Sequence, residues 1–348
     1  MVEIKSNPAR ERALEQAVAP MLPPGWAMAL RPGDGSPDAE IDAYLDLTAP
    51  SGERTTACVE FQARAEPAMV ARLVPWLERC GRAILVAPMI GARAREILAD
   101  AGISWIEPGG DCRIVLGSLF IERLGRRPAR RDADAPGTRY VADLFSGAAL
   151  RIVRRLLIQP DRSWTLADMA AVTDLTQGFV SRTFKSLERD AYLDRARGAS
   201  RLGDRDALLK AWAAAPAPGD AVLERVATIG GPGTILRAIA ALVDPPQYAI
   251  TAEAAADRLA PFTRFARVEL YVTDAAPWDE ALQLTPVARG GNVILIRPTD
   301  SGALDGSFGR DGVTLASRPQ LYVDLVRRGG AAAEAAAFMR ERGELWPR

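Results

Sequence analysis

Histidine is absent from the 348 residues. With it goes the side chain that titrates nearest neutrality, so histidine-dependent triads are excluded, as is the nitrogen ligand most zinc hydrolases use. Any catalysis would have to rest on carboxylates, Lys, Arg, Ser or Cys. Cysteine is scarce: Cys58, Cys80 and Cys112 are odd in number and lie 22 and 32 residues apart, which fits neither a disulfide framework nor a zinc site. No run reaches the roughly 18 to 20 apolar residues a membrane span needs. The first twelve residues are polar and of mixed charge, unlike a signal peptide. A cytoplasmic protein without a membrane partner is expected. Net charge is lacking too, with 44 basic against 44 acidic residues, so local clustering must carry any affinity for nucleic acid.

What is present is apolar content of 48%, enough for separate cores. The chain reads as three blocks, 1–140, 144–205 and 206–348, in a multidomain α/β arrangement. In the first block, 11–18 reads as a helix closed by Pro20, Pro23 and Pro24. Residues 38–48 then alternate, with Ile41, Ala43, Leu45 and Leu47 on one parity and Asp42, Tyr44 and Asp46 on the other, the pattern of a half-buried strand. Further strands are expected at 56–62, 83–87, 103–106 and 113–116, and helices at 67–79 and 92–101. Strands interleaved with helices predict a small α/β domain with a mixed sheet.

Its chemistry lies in the acids of 38–46 and in Glu60 and Gln62, which share a face because they are two apart on a strand. Magnesium-dependent nucleases use carboxylates this way to hold a hard cation. The block resembles the restriction-endonuclease-like superfamily, whose pattern falls on Asp42 or Asp46, then Glu60 and Gln62. Gln62 is neutral where that pattern carries lysine and supplies neither charge nor base. The expectation is a degenerate form with no catalytic residues, metal or cofactor. A metal-dependent endonuclease using Asp42, Asp46 and Glu60 is the competing reading. The same acids also suit the wet face of an edge strand, with Glu60 solvated or paired with Arg64. Six arginines and three acids then fill 122–139, the composition of a surface linker.

The central block predicts an amphipathic helix over 145–158, closed by Pro160. Thr165 is placed to cap a short second helix, with Asp168 as its capping-box partner. A turn through Thr173, Asp174 and Leu175 follows. Thr176 then caps a third helix that buries Phe179, Val180, Phe184 and Leu187 and carries Gln177, Ser181, Arg182, Lys185 and Arg189 on its other side. Tyr192 and Leu193 start a hairpin whose tip at Gly198 is surrounded by Arg195, Arg197 and Arg201. This order is that of a winged helix-turn-helix, in which the start of the third helix reaches base edges and the wing grips phosphates. Eleven basic residues stand against seven acids over 144–205, a net charge of +4. The expected DNA-binding residues are Gln177, Ser181, Arg182, Lys185, Arg189, Arg195, Arg197 and Arg201.

In the last block, 206–215 reads as a helix containing Trp212, and Pro216, Pro218 and Gly219 mark a hinge. Helices at 234–243, 251–259 and 319–327 alternate with strands at 248–250, 268–273, 292–296, 308–310 and 312–315, a second α/β unit. The run Gly230-Gly231-Pro232-Gly233 is read as a turn, because Pro232 lacks an N–H and no Gly-Lys-Ser or Gly-Lys-Thr follows.

Several segments carry a further resemblance: Tyr248-Ala249-Ile250-Thr251 entering an alanine-rich helix, the strand Val268–Val272, Gly290-Gly291-Asn292-Val293, and Ser317-Arg318-Pro319-Gln320-Leu321-Tyr322-Val323-Asp324-Leu325. With Ala87-Pro88, Gly102-Ile103-Ser104-Trp105 and the central helices, they resemble AbiEi-type transcriptional regulators, the antitoxins of type IV toxin-antitoxin systems. The resemblance implies a DNA-binding repressor that autoregulates its operon, with a nucleotidyltransferase-like toxin as partner in some members. Symmetric operators make a homodimer the expected form. A toxin-neutralising interaction module is the remaining alternative.

Overall fold

The computed structural model describes residues 8–33, 41–125, 144–196, 198–228, 230–262 and 264–347. They form two compact units, one made of the N-terminal block with Arg189–Ala191 and the other of the remaining residues from 144 onward. Among the described residues no helix is long and apolar enough to cross a membrane.

The first unit is a seven-stranded sheet whose strands lie in chain order: β1 (Ala27–Pro32), β2 (Ala43–Thr48), β3 (Arg54–Phe61), β4 (Ala83–Val86), β5 (Ser104–Ile106), β6 (Cys112–Leu116) and β7 (Leu119–Arg123). The outer pairs are antiparallel, whereas β3, β4 and β5 run parallel. Parallel neighbours need crossovers, supplied here by α2 (Pro67–Arg79) and α3 (Ala92–Asp100). Alternation assigns the faces: Ile84 and Val86 pack with Leu14 and Val18 of α1 (Pro8–Val18), while Leu85 packs with Val70, Leu77 and Leu98 of α2 and α3. β4 is therefore buried on both sides and reads as an unbroken apolar run.

The second unit begins with α4 (Gly147–Ile158), α5 (Leu166–Thr173), α6 (Gln177–Arg189), the hairpin β8 (Leu193–Ala196) and β9 (Ala199–Leu202), and α7 (Arg205–Ala214). A second seven-stranded mixed sheet follows. Its strands are β10 (Ala221–Ala227), β11 (Tyr248–Thr251), β12 (Val268–Val272), β13 (Leu284–Pro286), β14 (Val293–Arg297), β15 (Phe308–Arg310) and β16 (Val313–Leu315), in the order β13-β10-β14-β12-β11-β16-β15. Helices α8 (Pro232–Ala240), α9 (Ala252–Leu259), α10 (Ala276–Ala281), α11 (Arg318–Arg328) and α12 (Gly330–Glu341) complete it. One apolar core runs through Leu150, Trp164, Phe184 and Trp212 to Leu270, Leu295 and Leu321. The central helices and the C-terminal sheet thus share a core, and residues 216–219, which lie exposed or half-buried outside it, connect α7 to β10 within the same unit. Pro232 opens α8 with Gly231 before it, so the glycine run is a helix entry.

Candidate nucleic-acid interface

Local chemistry sets the helical module. The Thr165 hydroxyl accepts the Asp168 N–H at 3.1 Å and donates to the Asp168 carboxylate at 2.8 Å, fixing the start of α5. Asp174 ends it in the left-handed region, φ 52 and ψ 46, which Asp tolerates better than most residues. That reversal lets Thr176 start α6, its hydroxyl accepting the Phe179 N–H at 3.3 Å. Val180, Phe184 and Leu187 recur at helical spacing and are buried, turning the intervening positions outward.

The outward positions are those predicted. Gln177, Arg182 and Lys185 are exposed and Ser181 is half-buried. The hairpin lies beside α6, held by Trp164, whose backbone exchanges two 2.8 Å hydrogen bonds with Ser200 and so adds a short third strand. Ser181 and Lys185 of α6 consequently line one crevice with Arg195 and Gly198 of the hairpin. Among the described residues, none of Arg182, Lys185 and Arg195 has an acidic partner within 4.0 Å. Arg182 lies over the Phe179 ring at 5.9 Å. Their charges therefore face solvent unneutralised.

Other predicted residues are placed differently. Arg189, at the far end of α6, pairs with Asp190 at 3.0 Å, and Arg201 faces Asp161 at 3.7 Å. Arg197 lies outside the described residues. Two features were not foreseen. Gly178 sits exposed in the first turn of α6, where a missing side chain allows close backbone approach. Glu188 closes the crevice, accepting the Ser200 hydroxyl at 3.1 Å; it would stand beside any bound phosphate and oppose it.

The net positive count over 144–205 also needs correction, because α4 spends its arginines inward. Arg151 and Arg154 donate to Asp300 at 2.6 and 3.1 Å, and Arg155 donates to Asp305 at 3.3 Å. Arg154 is 3% exposed and also donates to Gln320 at 2.9 Å. Gln320 passes the network to Asp324, which accepts from Gln320 at 2.8 Å, from Tyr271 at 3.0 Å and from Thr251 at 2.6 Å. Asp300 and, through Gln320, Asp324 within the Ser317 to Leu325 motif are thus anchors for the first helix of the module. A glutamine and an aspartate four apart on α11 share one helix face, which was the available signal.

Burial pushes the Asp324 carboxyl up to about 6, against the pull of its hydrogen bonds and of Arg327. Because the folded value lies above the unfolded one, the native chain holds the extra proton between about pH 4 and 6. The associated stability is lost as pH rises through that window. Asp324→Asn cannot ionise, so the wild-type Tm minus the variant Tm should fall as pH rises from about 4 to 6. Thermal unfolding curves with the same pH slope for both proteins would contradict the assignment.

In the first unit, Asp46 is held by Arg31 and by the Thr56 hydroxyl at 2.6 Å. The Arg31 hydrogen bond, then that of Thr56, draws its carboxyl down to about 2. Asp42 accepts the Phe61 N–H at 2.8 Å, and Gln62 donates to Glu60 at 2.6 Å. Glu60 and Gln62 do meet on one face, whereas Asp46 lies four residues along the strand from Asp42, roughly 13 Å at the usual rise. Among the described residues, no group of three or more acidic or cysteine side chains is arranged to hold a metal ion.

No family model, curated protein or solved structure matches the chain.

Proposed function

We propose that the chain is a sequence-specific regulator of transcription, a repressor related to AbiEi-type antitoxins, that acts without catalysis by binding double-stranded DNA. In this reading α4, α5, α6 and the β8–β9 hairpin are a winged helix-turn-helix, the first unit is a degenerate restriction-endonuclease-like scaffold, and the C-terminal sheet is the AbiEi-like domain. A cognate toxin and a second copy of the chain are the proposed protein partners. The observation that carries the reading is the disposition of charge on one face. Gln177, Ser181 and Arg182 occupy the first turns of α6, and Lys185 and Arg195 extend that face onto the hairpin with no acid within 4.0 Å of them among the described residues. A recognition helix meets base edges through its N-terminal turns, and a wing meets phosphates.

The two contributions are separable. If Arg182 reaches a guanine edge, Arg182→Ala should cost about 1–3 kcal/mol on the preferred duplex and much less on scrambled duplex. Arg195→Ala should weaken both by a similar factor and reduce the log-log salt slope by about 0.9, the equivalent of one phosphate. Fluorescence anisotropy on both duplexes measures each effect. Equal losses on both duplexes for Arg182→Ala would remove α6 as the reading element.

A further inference from the structure

A second concave site opens where the helical module meets α11 and the C-terminal residues. It is a cavity of about 560 Å³, within the size range of small-molecule sites. The residues after α4, the start of α7, the start of α11, Phe308 and the C-terminal Trp346 wall it. Three guanidiniums enter it, each backed by an aromatic ring: Arg162 lies 4.0 Å from the Trp164 ring centre, Arg318 lies 4.2 Å from Phe308, and Arg205 lies 4.9 Å from Trp346. Rings behind the guanidinium planes leave their N–H edges for another partner.

Within the described residues those edges are only partly met, by Gln159, whose side-chain carbonyl accepts from Arg162 at 3.3 Å. Among the described residues, neither Arg162 nor Arg205 has an acidic side chain within 4.0 Å. Arg318 has Glu344 at 3.8 Å, and its Nε is buried with no hydrogen-bond partner. A buried donor without an acceptor is costly and uncommon. The first turn of α11, at the cavity wall, has no side-chain cap, and its N–H groups other than at Pro319, which has none, and Leu321, bonded to the Ser317 carbonyl, add to the positive potential. The acid that lines the cavity, Asp161, is 85% exposed and lies 3.7 Å from Arg201 of the hairpin. Three fixed positive charges, with Glu344 beside Arg318 and the solvated Asp161 as the acids near them, in a concavity with aromatic walls, describe a receptor for an anion with a flat body.

We propose that this cavity binds a small organic anion bearing a planar ring, with its phosphate or carboxylate held by Arg162, Arg205 and Arg318 and its ring against Trp346 and Phe308. This does not depend on duplex binding. The probe is phenyl phosphate, titrated into the full chain by calorimetry and by tryptophan fluorescence, with inorganic phosphate and benzyl alcohol as comparison ligands. The expected result is saturable one-to-one binding, at least about tenfold tighter than either comparison ligand because charge and ring are both recognised. The double variant Arg162→Ala with Arg205→Ala should weaken it at least about tenfold with unchanged circular dichroism. Trp346→Phe should remove the fluorescence change while calorimetric binding persists. No binding up to about 10 mM, equal affinity for inorganic phosphate, or undiminished binding by the folded double variant would each overturn the proposal.

Discussion

Arg154→Ala should lower the unfolding free energy of the second unit by about 3–5 kcal/mol, the range for removing one partner of a buried ion pair. The side chain is 3% exposed and Asp300 is 9% exposed, so water does not replace what is lost. Asp300 would keep Arg151 as its one cationic partner among the described residues beside the Gly302 N–H, and the Gln320 side-chain carbonyl would lose the Arg154 donor. The comparison is Arg155→Ala on the same helix: Asp305 is 34% exposed, and a pair open to solvent contributes about 0–1 kcal/mol. Urea unfolding at a constant m-value measures both. Equal costs for the two variants would mean that the network around Asp300 does not anchor α4.

Phe184→Ala is the second large effect, about 3–5 kcal/mol, the usual cost of truncating a buried phenylalanine. Phe184 is 3% exposed in the core that also contains Trp164, Trp212 and the strands of the C-terminal sheet. Since that core is continuous, the loss should be felt across the unit. Far-ultraviolet circular dichroism and tryptophan fluorescence should shift to lower denaturant together, in one transition for this unit. Duplex binding, specific and non-specific alike, should disappear at denaturant concentrations where the wild type still binds. A variant whose helical module melts while the tryptophan signal of the C-terminal sheet stays at its wild-type midpoint would show that the core is not shared.

Elements whose patterning was strong were legible in the sequence. The alternation from Ile41 to Leu47 gave β2, and the spacing of Val180, Phe184 and Leu187 gave α6 together with its outward residues. β1 was not foreseen, because Ala27–Pro32 is largely exposed and ends in proline; pairing with β2 makes it a strand. β7 buries only Leu119 fully, too little for a periodic signal. β10, with a single fully buried residue, and the short α10 and β13 were likewise missed. α12 was hidden by its composition: Ala332, Ala335 and Ala336 are its buried face beside Met339, and alanine carries little hydropathic contrast with its neighbours.

The candidate interface was partly legible for the same reason. Exposed positions on an amphipathic helix follow from its buried ones, so Gln177, Ser181, Arg182 and Lys185 could be placed. Which arginines would be neutralised could not be read, because pairing partners are remote in sequence. Arg154 and Asp300 are 146 residues apart, and Arg201 and Asp161 meet only once the hairpin folds back. An arginine on a helix reads as solvated until its partner is known. The cavity of Arg162, Arg205 and Arg318 was invisible for that reason too, since it draws one cation from each of three distant segments.

The measurement that bears most directly on DNA binding is a salt-series titration of the wild-type chain against duplex from its own upstream region and against scrambled duplex of equal length. The account predicts tighter binding to the upstream duplex by about 10³ or more at physiological salt, with log affinity falling linearly as log salt rises. A folded wild-type protein that binds neither duplex more tightly than about 10⁻⁴ M, weaker than ordinary non-specific binding, would contradict it.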